Sequence, residues 1–191
     1  SQAKSPEPQS VDETMAAAAP AWQSQAQADE KSAGCQSCHT QTDQKTMHAS
    51  PAVVLGCTDC HGGDAAIHRP ETTAPDATEY RQLQELAHVQ PRYPQDWNYP
   101  SSANPPASYT LLNRESAAYV RFVNPGDYRA ADLACGACHA DTIAAARRSL
   151  MSTGAMLWGG AAYNNGILPY KRYLLGESYT DGGVAAKILN P

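Results

Sequence analysis

The chain has 191 residues and a formal net charge of −5, from 14 Lys and Arg against 19 Asp and Glu. That acidic balance disfavours nucleic acid and anionic membrane surfaces as partners, and no apolar run approaches the length of a membrane span. Phe occurs once while Gly and Pro number 13 and 14, so coil and turn are expected in place of a large aliphatic core.

Residues 1–31 are rich in Ala, Gln, Ser and Pro and lack apolar periodicity. They read as a flexible arm or linker. The alternative is an arm docked on a neighbouring subunit, with Trp22 as its anchor. Residues 32–70 contain Cys35-Gln36-Ser37-Cys38-His39 and Cys57-Thr58-Asp59-Cys60-His61. The 17 residues between His39 and Cys57 reach at most roughly 60 Å when extended, which makes the two segments close neighbours. Gly62-Gly63 lets the backbone turn away directly after His61.

From Ala77 to Val89 a short helix is expected, with Tyr80, Leu83, Leu86 and Ala87 near one face and Pro91 as its stop. The proline-rich stretch 92–108 excludes a regular element. A second helix is expected after Asn113 as N-cap, with Tyr119, Val120, Phe122 and Val123 on its apolar side. Asn124-Pro125-Gly126-Asp127 is a turn. Cys135-Gly136-Ala137-Cys138-His139 follows, and a helix is expected to run from about Ala140 to Leu157.

Three CxxCH segments consume all six cysteines. CxxCH is the attachment sequence of c-type haem: two thiols add to the porphyrin vinyl groups, and the adjacent histidine supplies the proximal nitrogen. The expectation is therefore three covalent haems held by Cys35 and Cys38, Cys57 and Cys60, and Cys135 and Cys138. Their proximal ligands would be His39, His61 and His139. Three buried porphyrins would supply the apolar core that the side chains do not, with the 92–108 loop draped over their faces. The sixth coordination position separates an electron carrier from an enzyme. The remaining histidines are His48, His68 and His88, equal in number to the distal sites to be filled, with the pairing open. His48 lies nine residues from both His39 and Cys57 and could cap either haem. Met47, Met151 and Met156 are rival ligands, as is a histidine from a neighbouring subunit. Ten Tyr and three Trp suit either porphyrin stacking or ordinary packing. Arg129, Arg147, Arg148, Lys171 and Arg172 suit either propionate pairing or a solvated face. No CxxCK variant, nucleotide loop or paired carboxylates stand out.

The stretch from Thr46-Met47-His48 to Cys57-Thr58-Asp59-Cys60-His61-Gly62-Gly63 resembles the first haem pair of large bacterial multihaem c-type cytochromes. So do Ala87-His88-Val89-Gln90-Pro91-Arg92, Tyr109-Thr110-Leu111-Leu112-Asn113, Asn124-Pro125-Gly126-Asp127 and the stretch from Thr153 to Gly160. The resemblance covers roughly residues 33–185. Such proteins usually carry more haems beyond this region, so the chain looks like an N-terminal portion, a processed product or a short relative. The expected fold is mainly coil with short α-helices, a haem-packed core and little or no β-sheet. Residues 1–31 would be an arm, and 32–191 a trihaem domain with a haem pair in 32–70 and the third haem region in 110–191. The resemblance implies electron transfer in the periplasm, at the outer membrane or outside the cell, with a signal peptide removed and Ser1 as mature terminus. Other cytochromes or redox proteins would be the partners. Some multihaem cytochromes polymerise into extracellular filaments with haems stacked from subunit to subunit, which an N-terminal arm would suit. The alternative role is the electron-input part of a reductase with an open haem site for a small oxyanion.

Overall fold

The computed structural model describes residues 7–12, 16–42, 47–99, 109–149, 160–161, 163–166, 178–179 and 185–186. Short helices and coil dominate: α1 (Gln25–Glu30), α2 (Ala33–Cys38), α3 (Cys57–His61), α4 (Thr78–Ala87), α5 (Ala117–Val123) and α6 (Ala131–Ala146). Two 3-10 turns, Pro94–Asp96 and Tyr109–Arg114, lie between α4 and α5. The chain divides into two compact units, residues 1–138 and 139–191. In the second unit, β1 (Ser178–Tyr179) pairs antiparallel with β2 (Ala185–Ala186), with Ser178 opposite Ala186. No helix among the described residues is long and apolar enough to cross a membrane.

The first unit has a small side-chain core. Trp97, Leu112, Tyr119, Val120 and Ala130 are buried together, flanked by Val89, Tyr99, Leu111, Phe122 and Val123. Trp97 packs on Tyr119 with ring centroids 5.4 Å apart. Composition underestimates this cluster, because a few large rings bury as much area as many aliphatic side chains.

Within residues 1–31, the stretch expected to form a flexible arm or linker, Gln25–Glu30 form the helix α1. Ser24 caps α1: its hydroxyl accepts from Gln27 N, and the Gln27 side chain accepts from Ser24 N at 2.9 Å. This reciprocal pairing satisfies two orphan donors of a six-residue helix that would be marginal alone. Ala19, Gln23 and Ala28 are buried, and Ala19 N donates to Leu133 O at 2.8 Å. Trp22 is 81% exposed and anchors nothing within the described residues.

The helix expected over 77–89 is α4, ending at Ala87 with His88 as its C-cap. Leu86, placed on its apolar face by periodicity, is 64% exposed, so this face is not a core face throughout. The N-cap of α5 is Ser116, whose hydroxyl accepts from Tyr119 N at 3.1 Å; the expected cap, Asn113, lies in the preceding 3-10 turn. A serine adjacent to the helix offers the same capping chemistry three residues later. The third helix starts before its motif: α6 runs from Ala131 and bends at His139, where φ is −121° and ψ is 24°. Alanine-rich sequence on both sides of the motif supports helix there, while residues 150–157 lie outside the described set.

Gly62 and Gly63 adopt φ of +70° and +80°, the left-handed turn their spacing suggests. A Cβ on Gly63 would also meet the Ala87 carbonyl at 2.7 Å. Gly63→Ala is expected to cost about 1–3 kcal/mol in a urea titration, from backbone strain plus this contact. An unchanged midpoint would contradict the tight packing of this turn under α4.

The 124–127 turn closes as expected, with Asp127 N donating to Asn124 O at 3.0 Å. Arg129 donates to both Asp127 oxygens, at 2.9 and 2.8 Å, and to Asn113 Oδ1 at 2.6 Å. Arg129 holds the Asp127 carboxyl below the usual carboxylate range, burial opposing it. A lowered folded-state pKa contributes stability that is present above the unfolded value near 4 and is lost as pH falls through the folded one. Asp127→Asn is therefore expected to cost under about 1 kcal/mol at neutral pH, because the pair is partly solvated. The difference from wild type should shrink as pH drops below about 4 in parallel denaturant titrations.

Candidate functional site

Each CxxCH segment lies on a helical turn that breaks at or beside its histidine. α2 ends at Cys38, with His39 as C-cap at φ −86° and ψ 70°. α3 ends at His61 and is stopped by Gly62. α6 bends at His139. On a helix, residues three apart share a face, so both thiols of each pair project together.

The first two segments are bound together by the chain between and around them. Thr58 N donates to Lys31 O at 3.2 Å, and Cys57 N to Ser32 Oγ at 3.0 Å. Gly56 admits this approach, since a Cβ there would meet Ala28 O at 2.6 Å. The Cys35 thiol hydrogen bonds to Cys57, which pulls Cys57 down to about 5 and pushes Cys35 up. The first thiols of the two segments are thus adjacent, in accord with the short spacer. Burial raises both Cys60 and Cys135, and Cys60 is raised further by the charge of Cys135.

Asp59, between the cysteines of the second segment, is 3% exposed and organises its surroundings. Its Oδ1 accepts from Lys31 Nζ at 2.6 Å, and its Oδ2 from Gln23 Nε2 at 2.5 Å and Gly56 N at 2.8 Å. Burial raises this carboxyl, but these hydrogen bonds outweigh it and hold the group below its usual range. Arg121 is 1% exposed and donates to four carbonyls. They are Ala16 at 2.7 Å, Ala17 at 2.9 Å, Asp59 at 2.7 Å and Cys60 at 3.2 Å. Neither role was visible in sequence; the signal that could have found them is a charged residue inside an otherwise apolar run, as in Tyr119-Val120-Arg121-Phe122-Val123.

The histidines divide by what surrounds them. His61 Nδ1 lies 2.8 Å from the Phe122 carbonyl. A ring nitrogen donating to a carbonyl fixes the tautomer and leaves Nε2 as a lone-pair donor, the usual state of an imidazole that ligates metal. The His39 and His88 ring centroids are 6.1 Å apart with the planes tilted by 33°, and the Phe122 ring centroid lies 5.0 Å from that of His88. A cavity of about 510 Å³ is bordered by His61, Gly62, Gly63, His88 and Arg121. That volume is within the range of roughly 300–1,000 Å³ usual for small-molecule and cofactor sites. The segment bearing His68 runs beside α2, through Gly34 N to Ala65 O at 2.8 Å and Arg69 N to Ser37 Oγ at 2.8 Å. His68 itself is exposed and His48 half-buried. Met47 is 85% exposed, while Met151 and Met156 lie outside the described residues.

These donors fit covalent haem at the first two segments: paired thiols on one helical face, a histidine at the helix end, and an anchored Nδ1 on His61. The third has the same thiol spacing and a break at its histidine. Arg129, a candidate propionate partner, is instead engaged by Asp127 and Asn113. No protein-family model matches the chain, and no curated protein or solved structure matches it.

Proposed function

We propose that the chain is a trihaem c-type cytochrome that carries electrons between redox partners outside the cytoplasm. The observation that carries this reading is the repeated local geometry: three thiol pairs spaced three apart on helical turns, each turn breaking at or beside the motif histidine. A redox dithiol or a zinc site needs no such histidine placement in all three copies. When bound, each haem supplies a reversible one-electron couple at its iron. The chain's own residues set where those couples sit. The first two attachment segments adjoin, since Cys57 N donates to Ser32 Oγ at 3.0 Å and Thr58 N to Lys31 O at 3.2 Å just ahead of Cys35. His61 is held by a backbone carbonyl, which fixes its ring without a titrating partner. Closely spaced fixed centres suit electron relay, since little need move between oxidised and reduced states.

Absorption spectroscopy of the oxidised and reduced protein tests this reading. Low-spin signals from all three haems, unchanged by carbon monoxide, cyanide or nitrite, are expected. A high-spin haem that shifts with those ligands would sink the carrier reading and favour a reductase with an open site.

A further inference from the structure

Resting on the haem reading, we propose that His39 and His88 are the two axial ligands of a single iron, with Phe122 positioning the pair. Two imidazoles that would hold one metal ion, each through a bond of about 2 Å with roughly 1 Å more to the ring centre, would have their centres up to about 6 Å apart. The His39 and His88 centroids are separated by 6.1 Å, and their planes differ by 33°. The chain builds this placement from both sides. α2 ends at Cys38, so His39 leaves the helix beside its own thiols. α4 ends at Ala87, and His88 takes extended backbone at φ −95° and ψ 147°. The Ala87 carbonyl accepts from Asp64 N at 2.9 Å, which ties the end of α4 to the turn after His61.

Phe122 links this pair to the next centre. Its ring packs on His88 at a centroid distance of 5.0 Å and a tilt of 45°. Its carbonyl receives His61 Nδ1 at 2.8 Å. One residue thus orients a distal ligand of the first motif's iron and the proximal ligand of the second's. His68 is the competing partner for His39, since its segment also runs along α2. The ring whose centroid lies 6.1 Å from that of His39, however, is that of His88.

Electron paramagnetic resonance of the oxidised, haem-loaded protein tests the pairing. His39→Met and His88→Met are each expected to remove the same one of the three low-spin bis-histidine signals and to add a near-infrared band of histidine–methionine ligation. His68→Ala should leave that signal in place. Loss of different signals in the two variants would overturn the pairing, as would its loss in His68→Ala with retention in His88→Met. Should His88→Met not accumulate, His88→Gly grown with imidazole provides the second route: added imidazole is expected to restore the missing signal. Phe122→Leu should keep haem content and low spin but shift the highest g value of that same signal, because the imidazole plane loses its support. A spectrum superimposable on wild type would remove Phe122 from the proposal. A wild-type chain without covalent haem is a different result, contradicting the haem reading itself.

Discussion

Replacing Arg121 with methionine is expected to lower stability by about 3 kcal/mol. The guanidinium is 1% exposed and gives four of its five N–H groups to backbone carbonyls. Two acceptors, Asp59 and Cys60, belong to the helix that carries the second thiol pair. The other two, Ala16 and Ala17, belong to the N-terminal segment. Methionine fills similar volume but offers those carbonyls no donor, and the bond to the Asp59 carbonyl is a buried one. A charged hydrogen bond is worth about 1.5–3 kcal/mol, and the four are not additive because residues 16–17 can lift into water. That lifting is itself a readout: protease should cut the 16–24 segment faster in the variant. Arg121→Lys should recover part of the loss, since one ammonium cannot span four acceptors. Equal denaturation midpoints and equal cleavage patterns would contradict the assigned role.

Glu115→Ala is expected to cost about 2–4 kcal/mol. Glu115 is 8% exposed and serves three donors: Arg92 N at 2.6 Å, Tyr93 N at 3.1 Å and Trp97 Nε1 at 2.8 Å. It pins the start of the proline-rich loop to the small apolar core and seats Trp97 against Tyr119. Alanine strands all three donors. Glu115→Gln, which keeps one acceptor oxygen, should fall between wild type and alanine. Denaturant titration followed by near-ultraviolet circular dichroism reads both global stability and the Trp97 environment. An alanine variant as stable as wild type would show that water replaces the carboxylate without penalty.

These two residues also mark where sequence reasoning ran short. Local features were legible: the α4 periodicity, the Gly62-Gly63 turn and the 124–127 turn each rest on residues adjacent in the chain. Helix limits were less so. Ser116 and Asn113 have the same capping chemistry, and only tertiary packing chooses between them. The fate of residues 16–31 was not legible, because their order comes from partners far along the chain, Leu133 and Arg121 among them. Asp59 reads as a filler position inside CxxCH, yet it binds Lys31, Gln23 and Gly56. Polar residues that act by long-range hydrogen bonds leave no periodic trace. At the candidate site the identities of thiols and motif histidines were plain from spacing. Which remaining histidine comes near which motif depends on where the end of α4 brings His88, and that is a property of the fold.

The most direct test of the account is the intact mass of the chain produced in a host that attaches haem to exported proteins. The polypeptide alone is 20.4 kDa. A single species heavier by three haems, unchanged by denaturation, is the result predicted. A species at the bare polypeptide mass, or one carrying fewer than three haems, would contradict it.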